Sequence, residues 1–284
     1  SKLEEEGSCR ECFTKKMTMS KKYLILSAIL FFFLPLVPAK AQCKLTNTAF
    51  KSGENIQYDL YFDFGLLKAR AGRGSMQIMD ANYRGENAYK TVMMLNTSGL
   101  AGNLYTVNDT LTSYIDHDIR PLLFTKEAFE GKDYSVERQS FTYKEGKISI
   151  RALRSRNNVE RFDEEVTTDQ CTYDYLSVIS YVRNLDYTDM KVGNRHYIRF
   201  ISGKKPVDMY VNYLGPSSVK TNDGKTYDVI NISMTIHDDA FTNPKEALRA
   251  SITNDENRLP VIIDTSLKMG SVRAVMRHVS GMRH

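Results

Sequence analysis

The sequence predicts an all-β protein, built as a curved antiparallel sheet or an open or closed β-barrel, with one amphipathic helix packed across it. Three observations predict this fold. Polar and apolar residues alternate with period two over many short segments. Turn-forming triplets separate several of these segments. A helical period of three and four residues stands out in a single stretch. Many strands with one helix are typical of a barrel that the helix covers or plugs.

The clearest alternation marks the first strand. In residues 56–64 the even-numbered side chains are apolar or aromatic, while the odd-numbered ones are Gln, Asp, Tyr and Asp. Such a pattern predicts a strand with one buried face. Further strands are predicted from the same pattern at 89–95, 197–200, 209–212, 261–263 and 272–278.

Turn residues predict how these strands connect. Lys144–Gly146, Asn222–Gly224 and Lys268–Gly270 each lie between alternating runs, which indicates antiparallel hairpins. Ala71–Ser75 is rich in glycine, but no helix follows it, so we interpret it as a strand with close packing or a bulge rather than a phosphate loop. Ser202–Pro206 resembles half of a phosphate loop and is interpreted as a basic hairpin turn.

The predicted helix covers Thr172–Leu185, where apolar residues recur at spacings of three and four. Asp169 or Thr172 is expected to cap its N-terminus. A weaker candidate is the short Pro244–Leu248 turn, because proline suits a first helical position.

Residues 1–41 are expected to comprise upstream residues and a cleavable signal peptide. Lys21 and Lys22 precede an apolar core of eleven residues, 24–34, which is shorter than the roughly 20 residues of a spanning helix. Ala39 and Ala41 provide the small residues that a cleavage site requires, so we predict export to the periplasm or cell envelope after cleavage near Ala41. An uncleaved membrane anchor and lipidation at Cys43 are the alternatives.

The remaining residues, 42–284, are expected to form a single mature β domain, since no linker or repeat divides them. Cys43 and Cys171 are a candidate disulfide, because an exported chain enters a compartment that permits disulfides. The alternative is that Cys171 is simply a small buried apolar residue.

The charge balance excludes one class of partner. The chain has 39 Lys and Arg against 34 Asp and Glu, and after residue 41 the balance is close to neutral. Nucleic acid is therefore not expected as a partner. The mature chain is also expected to contain no transmembrane span, and its oligomeric state stays open.

No motif identifies an enzyme, so an enzymatic activity is not expected and the catalytic residues stay unknown. Neither a cofactor nor a metal is predicted. His117 and His237 each have neighbouring aspartates, but adjacent strand residues point to opposite faces, so solvation at a loop or strand end is expected for both. A cleft and a solvated strand face are the alternatives for the group Asp59, Asp63, Arg70 and Arg73, and the solvated face is expected.

The aromatic content suggests a second interpretation of the interior. The chain contains 17 Tyr and 13 Phe. Inside a curved sheet, such side chains line a cavity for an apolar guest or fill an ordinary core. Periodicity reports burial alone, so both interpretations stay open.

Three stretches in order carry a family resemblance: Phe50–Tyr58 with its F-x-x-G-E-x-x-x-Y pattern, Tyr173–Leu185, and Arg258–Ile262 followed by Gly270. Together they resemble the bacterial exported family known as domain of unknown function 3108, in its Bacteroides-type members, over roughly residues 47–280. The resemblance implies a mainly β, barrel-like fold in the cell envelope, akin to the open barrels of lipoprotein carriers. It brings no activity and no catalytic residues. Gly53 and Glu54 are then expected to be structural.

The function expected from these observations is a non-enzymatic envelope protein that binds an apolar, lipid-like ligand or an envelope protein in or on its curved sheet. A purely structural or scaffolding role is the first alternative. A hydrolase of envelope glycans or esters is the second, and it requires acidic groups, or a His beside a Ser, that converge in a cleft.

Overall fold

The structure, a computed structural model, describes residues 43–64, 67–99, 102, 106–237, 243–267 and 270–284. The predicted signal peptide and the cleavage site near Ala41 lie outside the described residues and stay predictions. Within this part of the chain, every helix is too short or too polar to cross a membrane.

Fifteen strands, numbered in chain order, form one sheet. They are β1 (Asn55–Phe64), β2 (Leu67–Tyr83), β3 (Glu86–Thr97), β4 (Val107–Ile115), β5 (Pro121–Glu130), β6 (Asp133–Lys144), β7 (Lys147–Arg156), β8 (Val159–Thr168), β9 (Thr172–Tyr173), β10 (Arg195–Ser202), β11 (Lys205–Lys220), β12 (Thr226–Ile236), β13 (Leu248–Thr253), β14 (Pro260–Leu267) and β15 (Gly270–Ser280).

The sheet confirms the predicted all-β, curved antiparallel architecture. From β1 to β8 and from β10 to β15, each strand pairs antiparallel with its neighbour in the chain. β1 also pairs with β15, which joins the two halves, and the short β9 pairs parallel with β10. β8 and β9 are consequently the two edges of a nearly closed barrel.

The predicted turns are found where the sequence places them. Lys144 pairs with Lys147, and Ser202 pairs with Lys205, so both segments are hairpin turns. Lys268 and Met269 lie outside the described residues, but Leu267 and Gly270 on either side of them are paired. The glycine-rich segment 71–75 lies within β2, as predicted.

Gly72 shows why this segment requires small residues. A Cβ atom at this position would lie 1.9 Å from the carbonyl oxygen of Asn96 on the neighbouring strand β3. The close approach of the two strands is therefore possible only with glycine.

Helix α1 spans Tyr175–Arg183 and is shorter than predicted. The expectation that Asp169 or Thr172 caps it is wrong, because Thr172 belongs to the short strand β9. The N-cap is Asp174. The second predicted helix is reduced to a 3-10 turn, Pro244–Glu246.

Side chains around Asp174 explain where α1 begins. One Asp174 carboxylate oxygen accepts hydrogen bonds from the backbone N–H groups of Leu176 and Ser177, at 2.8 and 2.9 Å. The Ser177 hydroxyl oxygen in turn accepts from the Asp174 N–H, which completes a capping box. Ser113 on β4 donates to the other carboxylate oxygen at 2.7 Å, which ties the helix to the barrel wall.

Helix α1 lies inside the curved sheet, because its apolar side chains pack in two directions. Val178 and Val182 belong to a cluster with Ile198 of β10 and Ile232 of β12. Ile179 packs against a second cluster, formed mainly by β1, β14 and β15. A helix that contacts both groups fills the space between opposite walls, as the sequence predicted for its amphipathic face.

The segments before β1 and after β15 cover the same end of the barrel as α1. The Thr48 N–H donates to the Asn184 side chain at the end of α1, at 2.7 Å. The His284 N–H donates to the Asn257 side chain in the β13–β14 connection, at 2.9 Å. We call this the covered end. The opposite, far end lies at Phe64, Thr97, Glu130 and Arg156, where β1, β3, β5 and β7 finish.

The edges of the sheet meet through side chains. Lys204, in the β10–β11 turn, forms an ion pair with Glu164 of β8. The Gln139 side chain of β6 donates to the Gly203 carbonyl at 3.0 Å. We call this contact between β8 and the β10–β11 turn the seam.

Cys43 and Cys171 lie near the seam. The structure joins them in a disulfide, with their Cα atoms 5.4 Å apart. Both pack with Phe141, Ile148 and Ile201. The oxidation state of this pair in the cell stays a prediction, which is taken up in the Discussion.

Candidate functional site

The inner face of the barrel differs between its two sides near the far end. On the side of β1–β3 and β15, it is apolar. Met93 and Leu95 of β3 and Ala274 of β15 are only half-buried, and they pack on the core cluster that contains Ile56 and Tyr58. This side therefore presents apolar surface that the protein itself does not fully cover.

The other side of the inner face, on β4–β7, is charged. The strand register places Leu111, Lys126, Glu137 and Arg154 in one row across these four strands. Glu137 is buried, and burial raises its pKa, with Arg154 acting in the opposite direction. Buried inward charges of this kind are rare in a barrel that is only a packed core.

Asp109, Lys126 and Glu130 form the most concentrated group of charges on this side. The Lys126 ammonium lies 2.9 Å from a Glu130 oxygen and 3.5 Å from an Asp109 oxygen. Burial raises the pKa of Asp109 to about 6, although Lys126 counteracts the shift. Burial is the largest influence on the pKa of Glu130 and acts to raise it, but the hydrogen bond and charge of Lys126, together with Asp109 and Arg154, outweigh burial and lower that pKa.

Asp109 also has unused hydrogen-bonding capacity. It is 5% exposed, and its Oδ1 atom has no partner. An unpaired buried acceptor is unfavourable unless water or a ligand donates to it. The group is thus able to accept a hydrogen bond from a bound polar molecule.

Tyr175, the first residue of α1, contacts β5 and β10. Its ring packs on Phe124 of β5 and Phe200 of β10, with centroid distances of 5.6 and 5.7 Å. Tyr175 is nevertheless 38% exposed. Its hydroxyl group lies 3.2 Å from the hydroxyl group of Ser202. A partly exposed aromatic ring is able to contact an apolar group of another molecule.

A separate group of polar residues, at the covered end, is structural. The Arg183 guanidinium donates to both Glu54 oxygens, at 2.6 and 2.8 Å, and to the Asn257 carbonyl at 2.8 Å. The side chains of Arg183 and Glu54 are 1% and 0% exposed. Tyr58 donates to the Pro260 carbonyl beside them, at 2.8 Å.

The three stretches that carried the family resemblance therefore meet in one place. Glu54 comes from the first, Arg183 from the second, and Pro260 from the third. Glu54 is structural, as expected, because its hydrogen bonds with Arg183 join the segment before β1 to the end of α1. The arrangement is closed to solvent and offers no space for a substrate.

The predicted histidine positions do not come together. His117 lies in the β4–β5 turn, with its ring 5.1 Å from that of Tyr89 in an edge contact. Its neighbour Asp116 is engaged with Arg120 and with the backbone N–H of Asp118. Among the residues that the structure describes, no three potential metal ligands gather into one group. Asp238 and Asp239, beside His237, lie outside the described residues.

The predicted solvated face of β1 is wrong for one residue. Asp59 is 8% exposed, forms an ion pair with Arg70 and accepts a hydrogen bond from Asn222 at 2.9 Å. The β11–β12 turn, which carries Asn222, covers this face. Alternation in one strand does not reveal such a cover.

Sequence reasoning missed the charged side of the inner face. In β6, Glu137, Gln139 and Phe141 occupy alternate inward positions and are all buried. A signal was present, because Phe141 shares a face with the two polar residues. The alternation of the strand was masked, since polar residues occupy both of its faces at this end.

Comparisons with known proteins agree with the fold and the resemblance. A family model described as a protein of unknown function (DUF3108) matches residues 57–277. This match confirms the resemblance seen in the sequence. No curated protein is significantly similar to the chain.

Two solved structures match this chain. One is a β-barrel-like protein of domain of unknown function DUF1849 from Brucella abortus, with a TM-score of 0.56, 12% identity, and coverage of 83% of this chain and 100% of that chain. The other, from Bacteroides fragilis, is described as exported and as having a YmcC-like fold, with a TM-score of 0.31, 12% identity, and coverage of 83% and 99%. At this identity the first likeness shows the fold alone.

Proposed function

On the premise that this chain belongs to the DUF3108 family of proteins of unknown function, we propose that it is a non-enzymatic binding protein for an amphipathic, lipid-like ligand. The ligand enters at the far end of the barrel. Its apolar part contacts β1–β3 and β15, and its polar part contacts β4–β7.

The observation that carries this proposal is the two-sided inner face. Half-buried Met93, Leu95 and Ala274 lie on one side, and Lys126, Glu137 and Arg154 lie on the other. Exposed apolar surface beside fixed polar groups is typical of a ligand site in a barrel mouth. A fully packed core would also bury Met93, Leu95 and Ala274, which are only half-buried here.

The proposed setting is the cell envelope. The predicted signal peptide over residues 1–41 and the Cys43–Cys171 pair support export, because disulfides persist in oxidising compartments. We propose that residues 42–284 act there as one mature β domain.

Two adjacent methionines on β3 allow a matched test. Met93 faces the interior and is half-buried, whereas Met94 faces outward and is 39% exposed. We expect Met93→Trp to weaken binding of the fluorescent apolar probe N-phenyl-1-naphthylamine by at least about tenfold, since the indole fills the mouth. Met94→Trp leaves binding unchanged. Thermal unfolding of both variants verifies that they fold.

Mass spectrometry of solvent extracts from the purified protein complements the probe. A co-purified amphipathic molecule supports the proposal. A dry interior, together with probe binding that is equal in both variants, contradicts it. A stoichiometric protein partner without any bound lipid would instead favour the scaffolding role.

Hydrolysis is a second candidate function, favoured by Asp109 and Glu130. Their carboxyl groups flank one ammonium, and their environments shift their pKa values in opposite directions, as in acid–base pairs. Hydrolysis of nitrophenyl esters or glycosides that is lost in Asp109→Asn but retained in Asp163→Asn, on the outer face of β8, would support it. Absence of hydrolysis by the wild-type protein on both substrate classes would remove it.

A further inference from the structure

We infer that β7 and β8 carry a binding site for a phosphate-like oxyanion, formed by the guanidinium groups of Arg154 and Arg161 beside the ring of Phe162. The inference deepens the proposed function and rests on it, because it assigns the polar group of the amphipathic ligand to a chemical class. That class is a tetrahedral, multiply charged anion.

A β-bulge creates the arrangement. Arg154 pairs with Phe162 and Ser155 pairs with Glu160, so Arg161 is the extra residue of β8. In a regular strand, Arg161 and Phe162 would point to opposite faces. A bulge changes the direction of one side chain. Here Arg154, Arg156, Arg161 and Phe162 together line one open pocket of about 390 Å³.

Three carboxylates near the pocket, those of Asp133, Glu164 and Glu137, already have partners. Asp133 forms an ion pair with Arg156, and Glu164 forms one with Lys204. Glu137 is buried and accepts a hydrogen bond from Gln139. Arg154 is close enough to Glu137 and Glu130 to influence their pKa values, yet it forms no ion pair with either in the described structure.

Arg154 and Arg161 therefore retain their donors. Neither guanidinium group makes a side-chain hydrogen bond or an ion pair with any residue that the structure describes. Both are exposed, so solvent or a ligand reaches them. Two planar guanidinium groups offer ten N–H donors, and their fork geometry matches the oxygens of a phosphoryl group better than an ammonium does.

Phe162 adds an apolar wall to the same pocket. Its ring is half-buried and has the Lys204 ammonium 5.4 Å from its centroid. The charge of Lys204 is balanced by its ion pair with Glu164, so the arginines alone supply the positive charge of the pocket. An anion attached to an apolar chain is able to contact the ring and the guanidinium groups together.

The position of the pocket fits the proposed ligand. Arg154 lies in the same inward row as Lys126 and Glu137, near the far end. A headgroup held by Arg154 and Arg161 would leave its attached chain free to cross the mouth towards the half-buried Met93. A free phosphate ion would have the same headgroup chemistry but no chain, so the test separates these two sources.

The experiment compares three probes on the purified protein: dodecyl phosphate, dodecanol and inorganic phosphate. Isothermal titration is performed on the wild type, on Arg154→Gln, on Arg161→Gln and on Arg138→Gln. Arg138 is exposed on the outward face of β6, so it is a control for loss of one positive charge. Glutamine removes the positive charge and retains a polar side chain, and thermal unfolding verifies folding of each variant.

We expect dodecyl phosphate to bind the wild type at least tenfold more tightly than dodecanol. Each pocket variant should weaken dodecyl phosphate by about tenfold and leave dodecanol unchanged, while Arg138→Gln changes neither. Added salt should weaken the phosphate probe selectively. Binding of inorganic phosphate alone, with the same arginine dependence, would assign the site to a free anion.

Equal affinity for dodecyl phosphate and dodecanol, or equal loss in Arg138→Gln, would overturn the anion site while leaving the apolar binding function intact. Binding of none of the probes, together with no effect of Met93→Trp on the naphthylamine probe, would overturn the proposed function itself. The two failures are therefore distinguishable.

Discussion

Arg183 and Glu54 are buried so completely that each depends on the other. Removal of one partner leaves an unpaired charge in the core, which is typically destabilising by about 3–5 kcal/mol. We expect Arg183→Met to lower the free energy of unfolding by this amount. The double variant with Glu54→Gln should lose less than the sum of the two single losses, since no charge then remains unpaired.

Urea unfolding of the four proteins in this cycle measures the coupling. Arg249 and Glu246 provide the exposed control, with side chains 55% and 39% exposed. Arg249→Met should change stability by no more than about 1 kcal/mol. An equally small effect of Arg183→Met would show that the buried pair does not stabilise the fold.

Asp109 predicts a pH dependence with a defined sign. Burial raises its folded-state pKa to about 6, above the ordinary value of 3.8. Between these values the folded chain binds the proton more tightly than the unfolded chain does. The stabilisation from this group is therefore present at low pH and is lost as pH rises through about 6.

Asp109→Asn stays neutral at every pH, so it does not undergo this loss. We expect its free energy of unfolding to increase relative to wild type between about pH 4.5 and pH 7.5, in urea titrations at both values. The hydrogen bond from Arg151 lowers the pKa of Asp163, so Asp163→Asn should show no such relative gain over this window. A gain of equal size in both variants would contradict the assignment to Asp109.

The role of a single residue was predictable from the sequence where that role depends on residues nearby in the chain. The structural role of Glu54 followed from its motif, but its partner Arg183 is 129 positions away and was found only in the structure. The same holds for Asp109 and Lys126, whose proximity depends on strand register. Arg161 is a different case, because a bulge of one residue changes which face it occupies.

At the scale of elements, the strands were more predictable than the helix ends. Period-two alternation depends on burial of one face, which each strand reports by itself. The start of α1 depends on β9, a two-residue strand that forms only because β10 lies beside it. Tertiary pairing therefore moved the cap from the expected Asp169 or Thr172 to Asp174.

The disulfide connects the segment before β1 to the β8–β9 connection and closes a loop between positions 128 residues apart. In the chain-entropy description, closure of so long a loop stabilises by about 5 kcal/mol at most, with about 2–5 kcal/mol typical on removal. We predict a loss in this range for the Cys43→Ala, Cys171→Ala double variant in urea unfolding.

Alkylation under denaturing, non-reducing conditions provides the control for the oxidised state. Peptide mapping should find Cys43 and Cys171 unmodified before reduction and modified afterwards. Quantitative alkylation before reduction would show two free thiols, and Cys171 would then be a small buried apolar residue, as the alternative interpretation holds.

At the scale of the whole molecule, the covered end depends on one close backbone contact. Gly281 follows β15 with a φ of 70°, and a Cβ atom there would lie 2.0 Å from the Gly53 carbonyl oxygen. Gly85 also has a positive φ, of 91°, but an added Cβ would have no neighbour within 4 Å. Alanine substitutions at Gly85 and Gly281 therefore separate the cost of backbone strain from the cost of a steric clash.

We expect Gly85→Ala to cost about 1 kcal/mol, from the left-handed backbone conformation alone. Gly281→Ala should cost clearly more, because the C-terminal segment must also move away from Gly53. Thermal and urea unfolding measure both. Equal losses would show that the contact between Gly281 and Gly53 adds little to stability.

The sequence predicted the class of the whole fold, but not its closure. Each hairpin is visible in the chain as two alternating runs and a turn. The pairing of β1 with β15 has no local signal, because its partners, such as Asn55 and Ser280, lie far apart in the chain. The same applies to the seam, where Lys204 and Glu164 form an ion pair although β8 and the β10–β11 turn are not paired through their backbones.

That pairing of the first strand with the last has a kinetic consequence. Strands that are adjacent in the chain are joined by short loops, so β1–β8 and β10–β15 are each able to form by local pairing of neighbouring strands. The search that brings β1 to β15 spans nearly the whole described chain and incurs the largest closure entropy. We therefore expect amide protons between these two strands to gain protection last during refolding, after both meanders have formed.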